Sequence, residues 1–143
     1  MSLFADVVET SRLVTATSSR SSKIAILAEL LCKLEPEEVP IGVGFLSGVP
    51  RQGRVGIGYA TVYGTDVAPA ANPSLSVDEV DRAIDEIEAT TGPGSITGRR
   101  LLLAGLFSRA TAQEADFLRR LLTGDLRQGA LATASQARSR GGR

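Results

Sequence analysis

Twice in this chain a hydroxyl residue is followed three positions later by glutamate and then by apolar residues at helical spacing. The stretches are SVDE at 76–79 and TAQE at 111–114. In this pattern the hydroxyl and the carboxylate each accept a backbone N–H that a helix start leaves unpaired. After the first box, Val77, Val80, Ile84 and Ile87 mark one face of a helix that ends near Gly92. After the second, Ala115, Leu118 and Leu122 share the inward face of a helix that stops at Gly124. Leu103, Leu106, Phe107 and Ala110 mark a helix between them. Ile24, Leu27, Ala28 and Leu31 mark an earlier one, with a serine cluster ahead to cap its start. Most of the chain therefore reads as helix. Aromatic residues are only 4% of the chain, so Leu, Ile, Val and Ala must build the core, which suits packed helices. At 143 residues the chain fits one domain with a real core.

The middle reads differently. IGVGFLSG and RVGIGYATVYG are rich in glycine and β-branched residues, and propensity alone makes them two strands of a hairpin. AANPSLS at 70–76 is a linker. The polar, arginine-rich tail over 133–143 has no apolar period and is expected to fray.

Composition excludes several chemistries. The chain has no histidine, which removes Ser-His-Asp and Cys-His catalysis and most zinc sites. Its one cysteine, Cys32, allows no internal disulfide. No apolar run is long enough to span a membrane, and MSLFADVVET lacks the basic start of a signal peptide, so a cytoplasmic setting is expected. GVGFLSG and GIGYAT both miss the third glycine of a dinucleotide loop, and no GK[ST] sequence is present. Asp81, Asp85, Glu86 and Glu88 fit a solvated helix face better than an acid–base pair.

Charge is segregated although the net charge is zero. Residues 78–98 hold six acids against Arg82, a balance of −5. Residues 99–143 hold nine arginines against Glu114, Asp116 and Asp125, a balance of +6. Residues 12–33 hold four basic residues against Glu29, a balance of +3. Fourteen of the sixteen basic residues are arginine, whose planar fork matches a phosphate in a way that lysine cannot.

Three loops at helix ends combine glycine or serine with basic residues. TATSSRSSK at 15–23 offers hydroxyls and free N–H groups, with Arg20 and Lys23 alongside. TTGPGSITGRR at 90–100 makes a tight turn before Ser95, and Arg99 and Arg100 follow. LLTGDLRQGALAT at 121–133 holds Arg127 between Gly124 and Gly129. Each alone reads as an ordinary cap or loop. Together they fit repeated contact with a phosphate backbone.

The words TATSSRSSKIAILAELL, FLSG…RVGIGYATV and GPGSITGRRLLLAGLFSRATAQEADFLRRLLTGDLRQGAL, in this order, resemble the N-terminal DNA-binding domain of ATP-dependent DNA ligases, closest to the actinobacterial ligase B type. The resemblance covers residues 1–132. It implies a compact all-α domain lying on the minor groove of nicked duplex DNA, with helix ends and loops on the phosphates. It also implies that RVGIGYATV is helix and loop, and we follow it there against propensity. The implied contact residues are Ser18, Ser19, Arg20, Lys23, Gly94, Ser95, Arg99, Arg100, Gly124, Arg127 and Gly129. Asp125 departs from the basic residue found there in some members. Family enzymes attach AMP to the lysine of a Lys-x-Asp-Gly motif. The two lysines here read KIAI and KLEP, and neither fits. ATP and Mg²⁺ would therefore belong to a catalytic domain outside this chain. The chain alone is expected neither to seal nicks nor to use ATP, and to have that catalytic domain and duplex DNA as partners. A helical protein-interaction domain is the alternative; it would show an exposed apolar helix face and scattered basic segments.

Overall fold

The computed structural model describes residues 2–53 and 55–126. Among these residues there are seven α-helices, one 3-10 turn and no strand. The order is α1 (Phe4–Ala16), α2 (Arg20–Lys33), the 3-10 turn (Pro36–Glu38), α3 (Val39–Ser47), α4 (Tyr59–Gly64), α5 (Val77–Ala89), α6 (Ser95–Arg109) and α7 (Ala112–Thr123). None of these helices is long and apolar enough to cross a membrane.

Both capping boxes form. Ser76 Oγ accepts the Glu79 N–H at 3.0 Å, and Glu79 Oε1 accepts the Ser76 N–H at 3.0 Å. Thr111 Oγ1 and Glu114 Oε1 make the same exchange at 3.2 and 2.9 Å. The apolar faces read from sequence for α5, α6 and α7 are buried as expected. Gly124 ends α7 with φ +83°, a left-handed conformation that favours glycine.

The hub is α1, which packs on α2, α3, α5 and α7. Its Phe4 has no exposed surface and meets Phe45 and Phe117 edge to face, with ring centroids 5.4 and 5.6 Å apart. A single antiparallel bridge joins Leu3 to Ser76. The Phe4 N–H donates to the Leu75 carbonyl and the Val77 N–H to the Ser2 carbonyl, which ties the start of α1 to the start of α5.

One expectation from sequence, the inward face of α2, is corrected, and another, helix and loop rather than a hairpin over RVGIGYATV, holds. The buried row of α2 is Lys23, Leu27 and Leu30, continued by Leu34 after the helix, whereas Ile24 and Ala28 are exposed. Packed chiefly on α1, this edge helix buries a narrow stripe and leaves apolar residues over. The hairpin that propensity favours does not exist. IGVGFLS belongs to α3 and YATVYG to α4, and residues 55–58, which lead into α4, form neither helix nor strand, with the Ile57 N–H donating to the Val55 carbonyl. Glycine at position 44 serves close packing. A Cβ there would lie 3.0 Å from the Val49 carbonyl oxygen and 3.1 Å from the Arg51 nitrogen.

Glu38 stitches the N-terminal segment to the 3-10 turn. Its carboxylate accepts the Ser2 N–H at 3.0 Å, the Ser2 hydroxyl at 2.8 Å and the Glu35 N–H at 2.9 Å. Burial opposes its charge, but these donated hydrogen bonds outweigh burial and hold its pKa below the usual carboxylate range. The Glu79 carboxyl is lowered too, first by Arg109 and then by the Ser76 N–H. A depressed carboxylate contributes stability above the unfolded pKa, about 4.3, and loses it as pH falls through the folded value. The urea midpoint is therefore expected to be flat from neutral pH to about 5 and to fall below that. Glu38→Gln should lower the midpoint at neutral pH and flatten the acid limb. An acid limb identical to that of the wild type would remove Glu38 from this role.

Candidate nucleic-acid interface

At the start of α2, Ser18, Ser19 and Arg20 are exposed. Ser19 is the cap, and its Oγ accepts the Ser22 N–H at 3.3 Å. The other N–H groups of this first turn point along the positive end of the helix dipole. Lys23 differs from its neighbours. It falls on the inward row and is only 8% exposed, so its stem is covered.

At the start of α6, Gly92 and Gly94 both take left-handed φ values, +85° and +78°, and the Ser95 N–H donates to the Gly92 carbonyl at 3.1 Å. Arg99 is committed to the protein. Its Nε donates to the Thr90 carbonyl at 2.9 Å and its Nη1 to the Gly56 carbonyl at 2.8 Å. It staples the 90–94 turn to the glycine-rich segment before α4. Arg100, one position on, is exposed.

After α7, Gly124 turns the chain, Leu126 returns to the core at 6% exposure, and Asp125 is left outward. A Cβ at Gly124 would meet nothing within 4 Å, so its backbone lies open. Arg127 and Gly129 lie outside the described residues, as does the 133–143 tail.

The helix packing relates these segments unequally. Helix α4 packs on both α6 and α7, so the segments at 94–100 and at Gly124 belong to helices that share a neighbour. Helix α2 is carried by α1.

The arginines divide into two sets. Arg12 pairs with Glu9, Arg51 with Asp81 and Asp85, Arg82 with Asp78, Arg109 with Glu79 and Arg120 with Asp116. Among the described residues, Arg20, Arg99, Arg100 and Arg119 have no carboxylate partner. Arg119 sits over the Phe107 ring at 4.7 Å and donates to the Thr65 carbonyl. Arg20 and Arg100 have neither an ion pair nor a side-chain hydrogen bond among the described residues. The three described arginines singled out from sequence thus all fall in the set without acids.

Sequence reading missed two features. Asp81 is not on a solvated face: it is 5% exposed and accepts Arg51 through both carboxylate oxygens at 3.1 and 3.0 Å. Gln52 Nε2 adds bonds to Asp81 and Asp85, so this cluster pins the turn after α3 to α5. The other feature is Tyr59 and Tyr63, whose i, i+4 spacing was the available signal. Their rings stack at 4.2 Å with 23° between planes. Burial, then Tyr59 and Asp125, push the Tyr63 phenol above its ordinary pKa.

A groove of about 710 Å³ runs between α1 and α7, over Val8, Ala16, Phe117 and Leu126. Its rim carries the Glu9–Arg12 and Asp116–Arg120 pairs and Asp125. Two arginines against three acids do not make an anion site.

The family described as DNA ligase N terminus matches residues 52–134. A probable DNA ligase of Rhodococcus opacus (strain B4) is 54% identical over 129 residues, covering 90% of this chain and 26% of that protein. One of Rhodococcus jostii (strain RHA1) is 51% identical over 129 residues, again 90% and 26%. One of Saccharopolyspora erythraea is 53% identical over 131 residues, covering 92% of this chain and 26% of that protein. The chain spans about a quarter of the length of these relatives. No solved structure matches it.

Proposed function

The chain belongs to the DNA ligase N-terminus family, and from that premise we propose that it grips duplex DNA, nicked duplex in particular, as the DNA-holding module of an ATP-dependent ligase. The grip is on the sugar-phosphate backbone and the minor groove and is indifferent to base sequence. ATP, Mg²⁺ and nick sealing belong to the catalytic domain that completes the enzyme.

One observation carries the reading. Among the described residues the arginines of the candidate loops, Arg20, Arg99 and Arg100, have no carboxylate partner, while five others are paired with acids; Arg99 is held by two carbonyls, which leaves Arg20 and Arg100 open. An exposed guanidinium with no internal partner is available to a phosphate, and its fork makes two parallel N–H···O bonds there. Open backbone at Gly94 and Gly124 lets a strand come close. Ser18 and Ser19 offer hydroxyls, and the α2 and α6 N-termini offer N–H groups to the same kind of ligand.

The sequence assigns Arg127 to the same grip, and a paired substitution tests it. Arg127→Ala should weaken binding to a nicked duplex far more than Arg82→Ala, although each removes one positive charge. Arg82 lies on the acidic helix α5, 2.9 Å from Asp78. The expected loss for Arg127→Ala is about 1–3 kcal/mol, the range of a charge-assisted hydrogen bond. It should be equal on duplexes of unrelated sequence. Equal affinities for the two variants, read by fluorescence anisotropy, would take Arg127 off the interface. A loss confined to one sequence would mean that it reads a base edge.

A further inference from the structure

The six aromatic residues of this chain are sorted by polarity. All four phenylalanines, Phe4, Phe45, Phe107 and Phe117, are buried at 3% exposure or less. The two tyrosines are on the surface, Tyr59 at 61% and Tyr63 at 38%. They stack on each other, so Tyr59 is held with one face covered and the other toward solvent. A large apolar face kept in water in a fixed orientation suits a contact that is made outside the chain.

Its surroundings indicate the partner. No acid occurs between Glu38 and Asp66 or between Glu88 and Glu114. These two windows pack together, through α4 against α6 and through Arg99 to the Gly56 carbonyl. Gly56 and Gly58, directly before Tyr59, and Gly105 on α6 are open, since a Cβ on any of them would meet nothing within 4 Å. On α6, Ile96 and Leu101 are exposed at 60% and 70%, beside the unpaired Arg100. Acids of neighbouring elements reach these windows at Tyr63, where Asp125 and Asp116 act on the phenol and Asp116 is already paired with Arg120, and at Arg109, which Glu79 of α5 pairs. The segments that carry Tyr59 and Arg100 thus contribute no acid of their own and expose open glycine backbone and apolar side chains. That is complementary to a polyanion whose strand also has an apolar side.

We propose that the open face of Tyr59, braced by Tyr63, packs on the deoxyribose rings of the bound strand and supplies the non-ionic part of the grip. This rests on the DNA-binding reading above. In a duplex the bases are stacked inside, whereas the sugars line the groove walls with C–H groups. A neutral ring meets them without removing a charge from water. An arginine contact releases counterions and steepens the salt dependence of binding, and a tyrosine–sugar contact does not.

The test uses the full chain labelled with 3-fluorotyrosine. With two tyrosines it gives two ¹⁹F resonances, assigned by Tyr59→Phe and Tyr63→Phe. On titration with a nicked duplex, the Tyr59 resonance should move and saturate at the stoichiometry given by anisotropy of the labelled DNA. Tyr59→Ala should weaken binding about five- to tenfold, no more than the lower part of the range for an aromatic ring stacked on a base. It should leave the slope of log K against log salt unchanged, and Tyr59→Phe should bind like the wild type. Unchanged circular dichroism establishes that the alanine variant is folded. DNA binding with a stationary Tyr59 resonance and full affinity for Tyr59→Ala would overturn this inference and leave the DNA reading standing. A loss on single-stranded DNA alone would also overturn it, since the ring would then be stacking on a base. Absence of any binding by the wild type would overturn both.

Discussion

Phe4→Ala is expected to cost about 3–5 kcal/mol of folding stability, the usual range for emptying a large aromatic site in a core. The ring has no exposed surface, and it bridges Phe45 on α3 and Phe117 on α7 from the helix that four others lean on. The variant loses the buried area and two edge-to-face contacts, each worth about 0.5–1.5 kcal/mol. Small domains are stable by only about 5–15 kcal/mol, so this change approaches the whole margin. A urea melt should show a much lower midpoint with an unchanged slope. Phe4→Leu should recover a good part of the loss, because it refills most of the space. A change below about 1 kcal/mol for the alanine variant would mean that α1 is not held by this aromatic junction.

The largest effect on binding is expected from Arg20→Ala combined with Arg100→Ala. Both residues are exposed and neither has an internal partner among the described residues, so stability should change by within about 0.5 kcal/mol. They stand on helices that rest on different neighbours, α2 on α1 and α6 on α4 and α5, so their effects should add. At about 1–3 kcal/mol for each phosphate contact, the double variant should bind at least about thirtyfold more weakly. The slope of log K against log salt should shrink by about two units. Arg82→Ala is the control on the acidic helix. If the double variant matches that control, the unpaired arginines are not the grip.

The parts of the fold visible in sequence were those fixed locally. A capping box needs two side chains three residues apart, and both were read and formed. The inward faces of α5, α6 and α7 were visible because each is apolar on a single side. The face of α2 was misread because Ile24 and Ala28 extend its apolar stripe beyond what α1 alone can cover. The glycines of α3 imitated strand composition, and their reason is tertiary: at Gly44 the turn after α3 comes within contact distance. The family resemblance overcame propensity at RVGIGYATV, the segment that leads into α4.

At the candidate site, residue types were legible and pairings were not. Nothing in the spacing of Arg51, Arg99 and Arg100 says that the first is held by Asp81 across thirty residues, the second by two carbonyls, and the third by nothing described. Arg99 accordingly positions the loops beside α4, and Arg100 is the exposed cation of that turn. Asp81 looked like one more solvated acid because its partner comes from another part of the chain. The exposed tyrosine pair went unread because aromatic residues in an apolar helical stretch are ordinarily core.

The central claim is that this chain holds the DNA backbone through arginines the fold leaves unpaired. Its most direct test is the affinity of the full chain for two nicked duplexes of unrelated sequence, measured by anisotropy over a series of salt concentrations. The account predicts binding to both, with log K falling linearly on log salt along one shared line, at about 0.9 in slope for each phosphate engaged. Lines that differ between the two sequences, a slope near zero, or no binding at low salt would contradict it.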